Sequence, residues 1–164
     1  MSVTVLYCEG NAKSIDIRVI RQLLPQCDIR PRGGKNANFL RSIIVDRRRN
    51  PNLACLVDRD KKNNRLITEE DVKSKFRELL PKFCSDGSRF MDYLCYFAGK
   101  DLLYMMRKSL HEWGFEDTSN KNKMHPEEIF LERIVSRIER IEKVWEWLPE
   151  WTALRQFISE TNFS

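Results

Sequence analysis

The chain has 164 residues, which at roughly 100 to 200 residues per domain reads as one domain with room for a sizeable core. With 41% hydrophobic and 32% charged residues the composition is that of a soluble globular protein, and the longest apolar stretch, Tyr93 to Ala98, is far too short to cross a bilayer, which excludes transmembrane and disordered readings. The net charge of +5 is uneven: eleven Lys or Arg against Asp46, Asp58 and Asp60 give the segment from Arg30 to Arg65 a charge of +8, so the rest of the chain carries −3. A segment of that kind is either a solvated face or the footprint of a phosphate-rich partner, and the neighbouring motifs decide between them.

Val3 to Cys8 is a short β-branched and aromatic run that reads as a strand, and Glu9-Gly10 ends it in a turn. Ile15, Val19, Ile20, Leu23 and Leu24 then recur at helical spacing behind Ser14, an expected N-cap, and Pro25 stops the pattern. Cys27 to Arg32 reads as a second strand, Gly33-Gly34 as a turn, and Asn38 to Arg47 as a second helix with Phe39, Leu40, Ile43 and Ile44 inward. After the Asn50-Pro51 break, Leu53 to Val57 is an uninterrupted apolar run of the kind found in strands buried on both faces of a parallel sheet, and it ends in Asp58-Arg59-Asp60. Thr68 with Asp71 three residues on makes a capping-box-like start for a helix carrying Val72, Phe76, Leu79 and Leu80, closed by Pro81. Alternating strands and helices over residues 3 to 80 predict an α/β fold with a doubly wound parallel sheet and right-handed crossovers.

Arg89 to Leu110 fits either a buried strand followed by a helix from Lys100 or one long buried helix. Glu116 to His125 reads as a polar loop. Pro126 opens a helix whose stripe runs through Ile129, Ile134, Ile138, Ile141, Val144, Trp145 and Leu148, with Trp151, Leu154, Phe157 and Ile158 beyond Pro149, and this stripe is expected to pack on the sheet. The division that follows is an α/β domain over 1–110 and a C-terminal helical extension over 111–164 packed on it as one unit.

The five cysteines, Cys8, Cys27, Cys55, Cys84 and Cys95, are odd in number, widely spaced and mostly set in apolar segments, as reduced core cysteines are. No CxxC pair exists and His111 and His125 stand alone, so zinc-site and histidine-nuclease readings have little to build on. The first residues lack the basic region, apolar stretch and cleavage site of a secretory signal, so a cytoplasmic address is expected, with no membrane partner.

In an open parallel sheet, ligands sit outside the carboxyl ends of the strands. Glu9-Gly10 follows the first strand, Gly33-Gly34-Lys35 the second and Asp58-Arg59-Asp60 the third, so these loops are expected to converge on one edge. Any single strand-end carboxylate is as readily a hydrogen-bonding or capping group. Three together repel unless a cation neutralises them, and hard oxygen donors suit Mg²⁺ or Mn²⁺. Two such ions about 4 Å apart bind a scissile phosphate, generate a nucleophile and stabilise the leaving oxygen. Arg32, Lys35, Arg59, Lys61 and Lys62 alongside would hold flanking phosphates, which implies a polyphosphate or a nucleic acid, DNA or RNA.

At these residues the sequence resembles the TOPRIM family, the fold shared by topoisomerases, bacterial primases, recombination proteins and OLD-type nucleases. The likeness lies in LYCEG (Leu6 to Gly10), RGGK (Arg32 to Lys35) and LVDRD (Leu56 to Asp60), in that order, with Glu9 and Asp58 about fifty residues apart. An acid commonly follows the family's EG within a few residues, and Asp16 fills that place across a longer turn. RFMDYL (Arg89 to Leu94) is similar to an Arg-then-Glu-Asn-Tyr-Leu element of stand-alone TOPRIM-like nucleases, with Asp92 in place of Glu and no Asn. The resemblance covers residues 3 to about 60 well and 60 to 110 loosely, and leaves the C-terminal helices aside. It implies a metal-dependent nuclease with Mg²⁺ or Mn²⁺ as cofactor, Glu9 as metal ligand or general acid/base, Asp58 and Asp60 as metal ligands, and Asp92 as a further one. Lys35 and Lys100 would contact phosphate or the transition state, although Lys100 equally suits a solvent-facing helix start. The chain is too short for the added domains of a topoisomerase or primase and has no ATPase P-loop. If the likeness extends to the TOPRIM effectors of phage-defence systems, a separate ATPase is the expected partner.

Two rivals remain at this level. A receiver-like signalling domain could use Glu9, Asp58 and Lys100, but receivers carry two adjacent acids after the first strand, where this chain has Cys8 and Glu9. A non-catalytic nucleic-acid-binding module of TOPRIM shape would keep the same motifs without the chemistry.

Overall fold

The computed structural model describes residues 3–32, 37–57, 61–62, 65–66, 68–79, 95–97, 102–115 and 125–160. In chain order they form β1 (Val5–Cys8), α1 (Ile15–Leu23), β2 (Asp28–Pro31), α2 (Ala37–Arg47), β3 (Leu53–Val57), β4 (Lys61–Lys62), β5 (Arg65–Leu66), α3 (Glu69–Leu79), β6 (Cys95–Phe97), α4 (Leu102–Glu112), α5 (Pro126–Phe130), a π-helical turn over Leu131–Val135, α6 (Ile138–Trp147) and α7 (Pro149–Glu160). The ambiguous stretch before Leu110 thus resolves as a strand followed by a helix. No described helix is long and apolar enough to cross a membrane.

Every residue of β1 and β3 is buried, which requires cover on both faces of the sheet. Successive side chains point to opposite faces. Leu6 and Cys8 with Ala54 and Leu56 form one face, in a cluster that takes in Ile17, Ile20, Met105, Ile134 and Trp151 from α1, α4, the π turn and α7. Tyr7 and Cys55 lie on the other, where α2 packs on β3 and buries Phe39, Ile43 and Ile44. The result is an α/β fold with a parallel sheet flanked by helices.

The strand order is β2-β1-β3-β6, all parallel, with Cys8 opposite Pro31 on one side and Leu56 on the other, and Val57 opposite Phe97. The chain therefore leaves β1 to one side for β2 and returns past it for β3 and β6. That reversal creates a switch point between the carboxyl ends of β1 and β3, the crevice where open α/β sheets take ligands. The hairpin of β4 and β5, antiparallel with Lys61 opposite Leu66, lies between β3 and α3 in the chain. At the outer edge of the sheet, Pro31 has no N–H to offer, and Arg21 Nη2 donates to the Ile29 carbonyl at 3.3 Å, which blunts β2 against further pairing.

The C-terminal helices close over α1 and α4. Trp151 Nε1 donates to Ser109 Oγ at 2.9 Å, Ser109 Oγ donates to the Met105 carbonyl at 2.8 Å, and the Val3 amide donates to the Ile158 carbonyl at 2.9 Å. The expected continuous helix from Pro126 to Leu148 is interrupted. Ile129 and Ile134 are five residues apart, about 140° off one stripe in an α-helix at 3.6 residues per turn. A π turn, with the Ser136 amide on the Leu131 carbonyl at 3.1 Å, brings both into the core. Arg137 is then extended, at φ −112° and ψ 113°, and the helix restarts at Ile138. Ile138, expected inward, is 85% exposed as a consequence.

Candidate active site at the carboxyl edge

Glu9 follows β1 directly and is half-buried, with its amide on the Leu56 carbonyl at 3.4 Å, so it stands at the switch point beside the end of β3. Gly10 turns the chain there at φ +109°, a conformation that L side chains rarely adopt, and a Cβ on it would lie 2.8 Å from Ser14 Oγ. Asn11 then holds the turn: its side-chain oxygen accepts from the Lys13 amide at 2.9 Å, and its carbonyl accepts from the Ser14 amide at 3.0 Å and hydroxyl at 2.9 Å. Ser14 occupies the N-cap position of α1 as expected, but its hydroxyl serves this turn and makes no cap bond. The amino end of α1, with Asp16 in its first turn, opens on the same edge as Glu9.

Arg32, just beyond β2, reaches the same edge, since its amide donates to the Cys8 carbonyl at 3.0 Å. Its guanidinium lies 4.5 Å from the centre of the Tyr7 ring, with Nη2 3.4 Å from the Tyr7 hydroxyl, and that hydroxyl donates to the Asp46 carboxylate. Tyr7 and Asp46 carry no signal in the sequence motifs. The one available clue is that a tyrosine within a fully apolar strand needs a partner for its hydroxyl. Two residues earlier on β2, Arg30 Nε binds Asp28 at 2.8 Å, and this bond holds the Arg30 guanidinium above its ordinary pKa.

Of the other residues read from the sequence, Asp58, Arg59, Asp60, Lys35, Asp92 and Lys100 lie outside the described residues. Lys61 and Lys62 form β4, one short connection beyond β3. The basic segment does not gather at one place. The run Arg47 to Arg49 closes α2 at the amino end of β3, where Arg47 Nη1 donates to the Leu53 carbonyl at 3.0 Å, and burial pulls the Arg47 pKa down. Arg32 belongs to the carboxyl edge and Arg47 to Arg49 to the opposite one, while β4 follows the carboxyl end of β3 in the chain.

Among the described residues no three His, Cys, Asp or Glu come together as a metal-binding group, and three of the four expected ligands lie beyond them. Among the described residues the oxygen donor that a hard cation would take at this edge is Glu9. Glu9 offers carboxylate oxygen, while the neighbouring Cys8 thiol is buried in the core cluster and so is withheld as a soft ligand. No family model, no curated protein and no solved structure matches this chain.

Proposed function

We propose that this protein is a cytoplasmic, TOPRIM-like, metal-dependent nuclease that cleaves phosphodiester bonds of DNA or RNA at the carboxyl edge of its sheet. The observation that carries the reading is the strand order, which brings the end of β1, with Glu9, against the end of β3, the strand that leads into Asp58 and Asp60. Glu9, Asp58 and Asp60, with Asp92, would hold Mg²⁺ or Mn²⁺. When bound, the ion supplies positive charge to the scissile phosphate and lowers the pKa of an attacking water. In place of a ligand role, Glu9 would serve as the general acid or base of the reaction. Arg32, Lys35, Arg59, Lys61 and Lys62 would neutralise the phosphates on either side, and Lys100 would meet the charge that develops in the transition state. Control by a separate ATPase belongs to the same proposal.

The test is cleavage of end-labelled single- and double-stranded DNA and RNA by the purified chain with Mg²⁺ or Mn²⁺. Glu9→Ala should lose about 10² to 10⁴ in rate, the usual worth of one positioned acid or base. It should keep or improve nucleic-acid affinity, because a negative charge facing phosphate is removed. Wild-type protein that binds nucleic acid but stays inert across metals and substrates would leave a binding module. Labelling of Asp58 by acetyl phosphate would favour the receiver.

A further inference from the structure

We infer that Tyr7, held by Asp46, is the positioning residue that aims Arg32 at the phosphate backbone of a nucleic acid on the carboxyl edge; the inference rests on the proposed nucleic-acid substrate. Three elements meet in one donor chain. Arg32 Nη2 donates to the Tyr7 hydroxyl at 3.4 Å, and the hydroxyl donates onward to Asp46 on α2. The carboxylate fixes the direction of the hydroxyl proton, which leaves the oxygen lone pair facing the guanidinium, and such chains strengthen each member. The Tyr7 ring supports the guanidinium from below, 4.5 Å from ring centre to Cζ.

The charge pattern singles out Arg32. Arg30, two residues earlier on the same strand, also lies near the Tyr7 hydroxyl, but its charge is paired with Asp28 at 2.7 Å. Among the described residues the Arg32 guanidinium meets only the neutral Tyr7, and Asp46 reaches it through that hydroxyl alone. Arg32 is exposed, whereas Tyr7 has no exposed surface. Among the described residues a planar cation is therefore stacked and oriented with no carboxylate in direct contact, which suits it to a phosphate oxygen. Tyr7 itself touches no substrate.

The experiment is a double-mutant cycle on binding of a fluorescein-labelled 20-nucleotide DNA and its RNA counterpart, in EDTA, across a salt series. Arg32→Ala should weaken binding about 5- to 10-fold and reduce the salt slope by about one phosphate contact. Tyr7→Phe, which keeps the ring, should weaken binding about 2- to 3-fold in the wild-type background and have no effect once Arg32 is Ala. Asp46→Asn should lose the dependence on Tyr7 in the same way, and Arg32→Lys should restore the salt slope without restoring affinity. Equal losses from Tyr7→Phe with and without Arg32, or no loss in either, would overturn the positioning role. So would a wild type that binds neither oligonucleotide. Binding without cleavage once metal is restored would count against the nuclease reading alone, since the cycle is measured without metal.

Discussion

A glycine at φ +109° with a serine hydroxyl 2.8 Å from where its Cβ would stand has no equivalent among the L-amino acids, and Gly10 sits directly after Glu9, the candidate carboxylate at the end of β1. Gly10→Ala should therefore cost about 1 to 3 kcal/mol of stability, the range for a residue forced into such a conformation, measured by denaturant unfolding. It should also lower cleavage by more than it lowers nucleic-acid binding, because the turn orients Glu9 and not Arg32. A stable, fully active Gly10→Ala protein would show that the turn can relax without moving the carboxylate. The Glu9-Gly10 pair was legible in the sequence because strand, acid and turn are contiguous. The Arg32, Tyr7 and Asp46 chain was not, because its members are 25 and 39 residues apart and meet only once β2 and α2 have folded back on β1.

At the scale of elements, local chemistry reads well where it closes on itself within a few residues. The box expected at the start of α3 forms: the Thr68 amide donates to Asp71 Oδ2 at 2.7 Å and the Asp71 amide to Thr68 Oγ1 at 3.1 Å. Thr68→Ala should cost about 0.5 to 2 kcal/mol, and amide exchange over the first turn of α3 should accelerate while exchange in β1 and β3 stays slow. Unchanged exchange in that turn would mean that α3 is held by its packing alone. The C-terminal stripe departs from expectation for a different reason. A period of 3.6 does not describe Ile129, Ile134 and Ile138, because the core accommodates five residues between the first two through a π turn and then releases the third to solvent. Packing against α1 and α4 decides that register, and a single helix's periodicity contains no information about its neighbours.

On the scale of the whole molecule, the alternation of strands and apolar helices is enough to predict a parallel sheet flanked by helices, while the segment charge is not enough to predict how the cations are distributed. Charge is counted along the chain, but α2 carries the chain back from the carboxyl edge to the amino edge, so Arg47 to Arg49 end up at the start of β3, behind Glu9. A nucleic acid lying across the switch point would meet Arg32 and β4 and would leave the α2 run in solvent. Reversing Lys61 and Lys62 to Glu should then weaken binding by about tenfold or more and lower the salt slope by about two phosphate contacts, at roughly 0.9 in slope per contact on duplex DNA. Reversing Arg48 and Arg49, both exposed, alters the net charge by the same amount and should change affinity far less, through long-range attraction that 0.15 M salt screens beyond about 8 Å. Salt titrations of the two double variants decide between a local footprint and bulk charge. Equal losses would mean that the protein attracts nucleic acid through its net charge, with no edge of the sheet preferred.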